Sequence, residues 1–132
     1  TIIIVILFLY YIRNYINSVK EYNVEGMTSS SENMQQAEII FFFADWCPHC
    51  TKAKPIVADI KSKYNGLTIN NKNIIFKDVD CSVETQDTKR EIEKYDVESF
   101  PTILIQIGDK VTKFDDTVEN SKLSEFIENT LA

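Results

Sequence analysis

Apolar residues follow distinct rhythms along this chain, and each predicts a different element. The uninterrupted run Ile39-Ile40-Phe41-Phe42-Phe43-Ala44 predicts a strand over 38–44. A run without polar alternation suits a central strand covered on both faces. Ala53, Ile56, Val57, Ile60 and Tyr64 then recur at helical spacing. Pro48 falls in the first turn of that helix, where a missing N–H costs nothing. Pro55 interrupts and should kink it, and Asn65-Gly66 stops it.

Shorter patterns complete the chain. Residues 70–73 read as loop, and 73–80 as a second strand through Ile74, Ile75, Phe76 and Val79. A polar helix over 84–95 turns Ile92 and Tyr95 inward. A strand over 102–107 and a turn at Gly108-Asp109-Lys110 lead into a hairpin partner over 111–114. A last helix starts at Asn120-Ser121, with Leu123, Phe126, Ile127 and Leu131 on one face. The predicted order is β-α-β-α-β-β-α. It implies an α/β domain over 37–132, with a central mixed sheet and helices on both faces.

The first residues have another character. Thr1 to Ile12 carries no charge. Such a run is short of the roughly 20 apolar residues that span a bilayer. Tyr10, Tyr11 and Tyr15 nevertheless stand where an aromatic belt would, followed by Arg13 as a water-side flank. The chain opens on Thr1 rather than Met, so more of the apolar run is expected upstream. A signal-peptide core and a buried strand are the alternatives, and no small-x-small cleavage site follows. The expectation is a transmembrane or signal-anchor helix over 1–20 and a polar linker over 21–36. The protein would be single-pass, its remaining domain on a side not fixed by Arg13 and Lys20, with a lumenal or extracytoplasmic side favoured.

Charge and cysteine count narrow the chemistry. Among 132 residues the net charge is −6, which leaves no basic stripe for nucleic acid. Three cysteines are too few for a disulfide scaffold. Cys47 and Cys50 do not read as half of a zinc site, because no second C-x-x-C exists and Cys81 adds one ligand at most. Cys81 reads as a small buried residue.

Trp46-Cys47-Pro48-His49-Cys50 joins the apolar strand to the helix. A thiolate, not a thiol, attacks a disulfide. Cys47 would lie at the helix N-terminus, where unpaired N–H groups and the dipole favour an anion. Cys50, about one turn inside, would resolve the mixed disulfide. His49 could add an imidazolium beside the thiolate and lower its pKa further. A more acidic thiol is a better leaving group, so Pro48-His49 points to an oxidant or isomerase rather than a strong reductant.

These residues resemble the thioredoxin superfamily. The likeness covers about 95 residues: Ala44-Asp45-Trp46-Cys47-Pro48-His49-Cys50, Pro55 five residues beyond the second cysteine, Val79-Asp80, Phe100-Pro101-Thr102 and the closing hairpin and helix. The flanks are similar to thioredoxin and protein disulfide isomerase, and the central Pro-His to the bacterial oxidant DsbA, whose large helical insertion has no room here. The resemblance implies a cis Pro101 against the dithiol and a groove shaped by Trp46, Phe100 and Pro101. It implies protein thiol or disulfide substrates, an unidentified electron donor or acceptor, and no cofactor beyond the Cys47–Cys50 disulfide. Three departures stand out. The family's first strand and helix have little room before residue 37. Its buried acid and lysine would fall at Phe41 and Phe76. Its groove glycine corresponds to Asp116. The function expected is protein thiol–disulfide exchange, leaning to oxidation or isomerisation. The alternative is a membrane-tethered binding or chaperone module without redox turnover. A glutaredoxin-like use of glutathione fits Trp46 and His49 poorly.

Overall fold

The computed structural model describes residues 4–12 and 34–132. They fall in two compact units divided between residues 32 and 33. In the first, helix α1 covers residues 4–12. Its apolar side chains are all exposed, from 37% at Ile12 to 70% at Ile4. Nine residues rise about 14 Å, against roughly 30 Å of bilayer hydrocarbon. Among the described residues, then, no helix is long and apolar enough to cross a membrane, and the transmembrane helix expected over 1–20 is not found. Residues 13–20 and most of the expected linker lie outside the described residues.

The second unit has the element order β1 (Gln35–Phe43), α2 (Pro48–Tyr64), β2 (Thr68–Ile69), β3 (Lys72–Asp80), α3 (Gln86–Lys94), β4 (Thr102–Ile107), β5 (Lys110–Lys113) and α4 (Asn120–Leu131). The sheet order is β2-β3-β1-β4-β5. β1 lies parallel to β3 and antiparallel to β4, as a covered central strand requires. Its alternation divides the core. Ala37, Ile39 and Phe41 face Ala53, Val57 and Ile60 of α2 and Leu123, Ile127 and Leu131 of α4. Ile40 and Phe42 face the other way, with Val79, Leu104 and Tyr95. Helices therefore cover both faces, as expected.

β2 is the element missed. Asn70 and Asn71 both take positive φ, 47° and 63°, which closes a two-residue hairpin between Ile69 and Lys72. The polar tetrad reads as loop because its turn is made of Asn-Asn, and two paired residues leave no periodicity. α3 starts later than predicted. Thr85 and Thr88 form a reciprocal capping box, so the first turn begins at Gln86 rather than Glu84. The helix ends with Asp96 at φ 50°, and the Val97 N–H reaches back to the Ile92 carbonyl at 3.0 Å. Pro55 lies inside α2, which continues through it to Tyr64.

Candidate active site

The site lies where β1 runs into α2. Cys47 is the N-cap of α2, with extended backbone at φ −91° and ψ 117°, and Pro48 opens the helix. The Cys47 N–H returns to the Ala44 carbonyl at 3.1 Å, so the chain turns sharply off the strand. This geometry leaves the first N–H groups of the helix on the side of the Cys47 sulfur, although none makes a cap hydrogen bond to it. The Cys50 N–H contributes most, then the Cys50 side chain and the His49 N–H, and together they hold the Cys47 thiol below its ordinary value. The Cys47 Sγ also lies 3.5 Å from the Phe100 carbonyl oxygen.

Cys50 is its opposite. It is 0% exposed, against 8% for Cys47. Burial pushes its thiol up; the Ala44 N–H, 3.5 Å from its sulfur, opposes this, and Lys54 opposes it further. All three cysteines are free thiols. Cys81 follows β3 and is buried, as expected, with its thiol 3.7 Å from the Val79 carbonyl. Burial, then Asp80 and Cys50, push it up.

The groove residues converge on the dithiol. The Phe100–Pro101 peptide is cis. The Trp46 ring is 67% exposed and meets Phe100 edge-on, 6.1 Å between centroids. Two clefts flank this pair. One, about 580 Å³, is lined by Trp46, Cys81, Ser82, Lys89, Ile92 and Phe100. The other, about 490 Å³, is lined by His49, Lys52, Phe100, Pro101, Asp116 and Val118. Asp116 accepts from Lys122 at 2.8 Å and from the Thr117 N–H at 2.6 Å. Lys122 chiefly, and then that N–H, hold its carboxyl below the usual range.

The positions that correspond to a buried acid and lysine are apolar in the fold as in the sequence. Phe41 is 3% exposed and stacks on Phe43 at 5.2 Å, while Phe76 packs against the same cluster. Among the described residues the core holds no buried polar or charged side chain. No group of three or more His, Cys, Asp or Glu residues there could hold a metal.

Sequence reasoning overlooked Ser82 and Lys54. The Ser82 hydroxyl accepts the Asp45 N–H at 2.8 Å and fastens the loop before the motif to the end of β3. That contact spans 37 positions and leaves no local signal. Lys54 pairs with Asp45 and lies over the Phe43 ring. Its place one turn beyond Cys50 was legible as an i,i+4 relation.

A cysteine at a helix N-cap, a buried partner one turn on and a cis-proline loop against both define the class: proteins of the thioredoxin fold. The chain belongs to the thioredoxin family, which it matches over residues 17–129. It is 35% identical to protein disulfide-isomerase A4 of Bos taurus over 94 residues, 68% of this chain and 13% of that protein. It is 27% identical to thioredoxin-1 of Caenorhabditis elegans over 120 residues, 90% of this chain and 95% of that one. Among solved structures, the first thioredoxin domain of mouse protein disulfide-isomerase A4 superposes with a TM-score of 0.60 at 20% identity, covering 73% of this chain and 64% of that one. The chain thus spans a small part of the isomerases it matches and nearly all of the nematode thioredoxin.

Proposed function

We propose that this chain exchanges disulfides with protein substrates through Cys47 and Cys50, in the direction of oxidation or isomerisation. The observation that carries the reading is the opposed state of the two thiols. Cys47 is held acidic at the mouth of the groove, and Cys50 is buried beneath it. In the oxidative direction a substrate thiolate attacks the Cys47–Cys50 disulfide at Cys47. A substrate–Cys47 bond forms, the bond to Cys50 breaks, and Cys50 leaves with the electron pair and takes a proton from solvent. A second substrate thiolate then attacks its own sulfur in the mixed disulfide. Cys47 leaves as a thiolate, the substrate holds a new disulfide and the dithiol is reduced. The N–H groups on the side of Cys47 stabilise that leaving thiolate.

The lean toward oxidation rests on Pro48-His49 and on Phe41. Among the described residues no core carboxylate stands ready to take the Cys50 proton when the dithiol acts as reductant. The His49 imidazole and Lys52 line the cleft on the Pro101 side, where they would meet a bound chain. Trp46, Phe100 and Pro101 supply an apolar rim, and the backbone of Phe100 would pair with an extended substrate. No cofactor beyond the disulfide is invoked. An unidentified redox partner would restore the disulfide. The exposed apolar residues of α1 favour a membrane tether; a lumenal or extracytoplasmic side for this domain is part of the same proposal and rests on the oxidative direction.

Trapping separates this reading from a binding module. Cys50→Ala should accumulate mixed disulfides with client proteins that dithiothreitol releases. Full activity of Cys47→Ser in oxidative refolding of a reduced disulfide protein would sink the exchange reading. A reduction potential of roughly −120 to −180 mV supports the oxidative direction, and one near −270 mV overturns it.

A further inference from the structure

The exchange reading leaves a question about Cys50. When Cys50 attacks a mixed disulfide it must first lose its proton, yet burial holds that proton on, and among the described residues the core offers no acid or lysine to help. The charges that face it come from the surface side. α2 brings Cys47 and Lys54, and the loop between β1 and α2 brings Asp45. The end of β3 brings Asp80 and Cys81. Lys89 and Glu93 of α3, and Glu84 just before its cap, line the cleft beyond Trp46.

Of these, Lys54 has the defined geometry. It lies four residues after Cys50 on the same helix, so both side chains project on one side. Its ammonium rests 4.3 Å from the centroid of the Phe43 ring. The same ammonium is ion-paired with Asp45. Phe43 and Asp45 bracket Ala44, whose N–H points at the Cys50 sulfur. A flexible lysine is thus held at both ends of the segment that touches the buried thiol. Asp80 is otherwise occupied, since its carboxylate accepts the Ser82 N–H at 2.9 Å and the Ser82 hydroxyl.

We propose that Lys54 is a positioning residue for the resolving step, its ammonium supplying the positive charge that favours the Cys50 thiolate. The proposal rests on the exchange reading above. The step balances without further reactants. Cys50 gives its proton to solvent water, and the thiolate attacks Cys47 of the mixed disulfide. The Cys47–Cys50 bond forms, the bond from Cys47 to the substrate breaks, and the substrate sulfur leaves with the electron pair and is protonated. A cation cannot accept the proton, so Lys54 acts on the equilibrium and not as a base. Lys54 favours the Cys50 thiolate, whereas Cys47 is lowered chiefly by the Cys50 N–H, then by the Cys50 side chain and the His49 N–H.

The test uses the whole reduced chain and dithiobis-nitrobenzoate, followed by stopped-flow absorbance across pH. Attack by Cys47 releases one nitrothiobenzoate, and attack by Cys50 on the adduct releases the second. Lys54→Met should leave the first phase unchanged. It should slow the second about three- to tenfold at neutral pH and move its midpoint to higher pH, the effect of removing one partly screened charge. Lys54→Arg should restore the wild-type profile. Asp45→Asn keeps an acceptor for the lysine but removes the opposing carboxylate, so its second phase should be as fast as wild type or faster. The proposal is overturned if Lys54→Met leaves the second phase unchanged, or if Asp45→Asn slows it as Lys54→Met does, since that pattern marks a loop brace. A wild-type protein that releases no second thiol removes the exchange reading itself, and the proposal with it.

Discussion

At the residue scale the molecule makes two unlike reagents of one side chain. Cys47 and Cys50 differ in which polar groups reach the sulfur before water does. Alkylation by iodoacetamide, followed by mass spectrometry across pH, should show Cys47 reacting with a midpoint below 9.0. Cys50 and Cys81 should react slowly, with midpoints above it. The same shifts tie stability to pH with opposite signs. Cys47 binds fewer protons folded than unfolded between its lowered midpoint and about 9.0, so its contribution grows as pH rises through that window. Buried Cys50 and Cys81 stay protonated when the unfolded chain ionises, so they lower stability above that point. Urea midpoints measured from pH 6 to 10 should lose their rising limb in Cys47→Ser, with pH range chosen to bracket roughly the thiol region. Phe41 marks a position where a core without charge has replaced a titrating one. Phe41→Ala should cost about 3–5 kcal/mol in denaturant unfolding, the range for deleting a buried aromatic ring.

At the scale of elements, legibility followed the length of the pattern. The β1 run and the face made by Ala53, Val57 and Ile60 announced the central strand and α2, because both are set by burial and burial leaves a period. The strand over 102–107 was read with the bounds it has. β2 was not, since its two residues carry no rhythm and the Asn70-Asn71 turn looks like any polar loop. The start of α3 was misplaced by two residues because the reciprocal cap of Thr85 with Thr88 begins the first turn at Gln86. Thr85→Ala should remove that reciprocal cap and cost about 0.5–2 kcal/mol, readable as a lower denaturation midpoint with α3 fraying first in hydrogen exchange. The site divides in the same way. The Cys47–Cys50 spacing and the Phe100-Pro101 pair were legible in the sequence. The Asp45–Ser82 bond and the approach of the Phe100 carbonyl to Cys47 were not, because partners 37 and 53 positions away leave no mark on local pattern.

At the scale of the whole molecule, redox state and stability are one quantity seen twice. A disulfide that oxidises its substrates is less stable, relative to its own dithiol, than theirs. If the proposed direction holds, reduction should raise the thermal midpoint. A difference of roughly 30 mV in potential corresponds to about 1.4 kcal/mol between the two forms. Calorimetry of the oxidised and reduced protein checks this, and a higher midpoint for the oxidised form contradicts the oxidative direction.

The two ends of the sheet carry a consequence for the proposed exchange with protein substrates. Among the described residues its outer strands are β2, two residues long, and β5, four residues begun and ended by Lys110 and Lys113. Short strands and lysines make poor templates for a second polypeptide. If the chain exchanges disulfides with proteins as proposed, backbone pairing with a client would be discouraged at the margins and left to Phe100, beside the Cys47 sulfur. The fold that holds the thiols would then also limit where a client chain can adhere, a safeguard against co-aggregation.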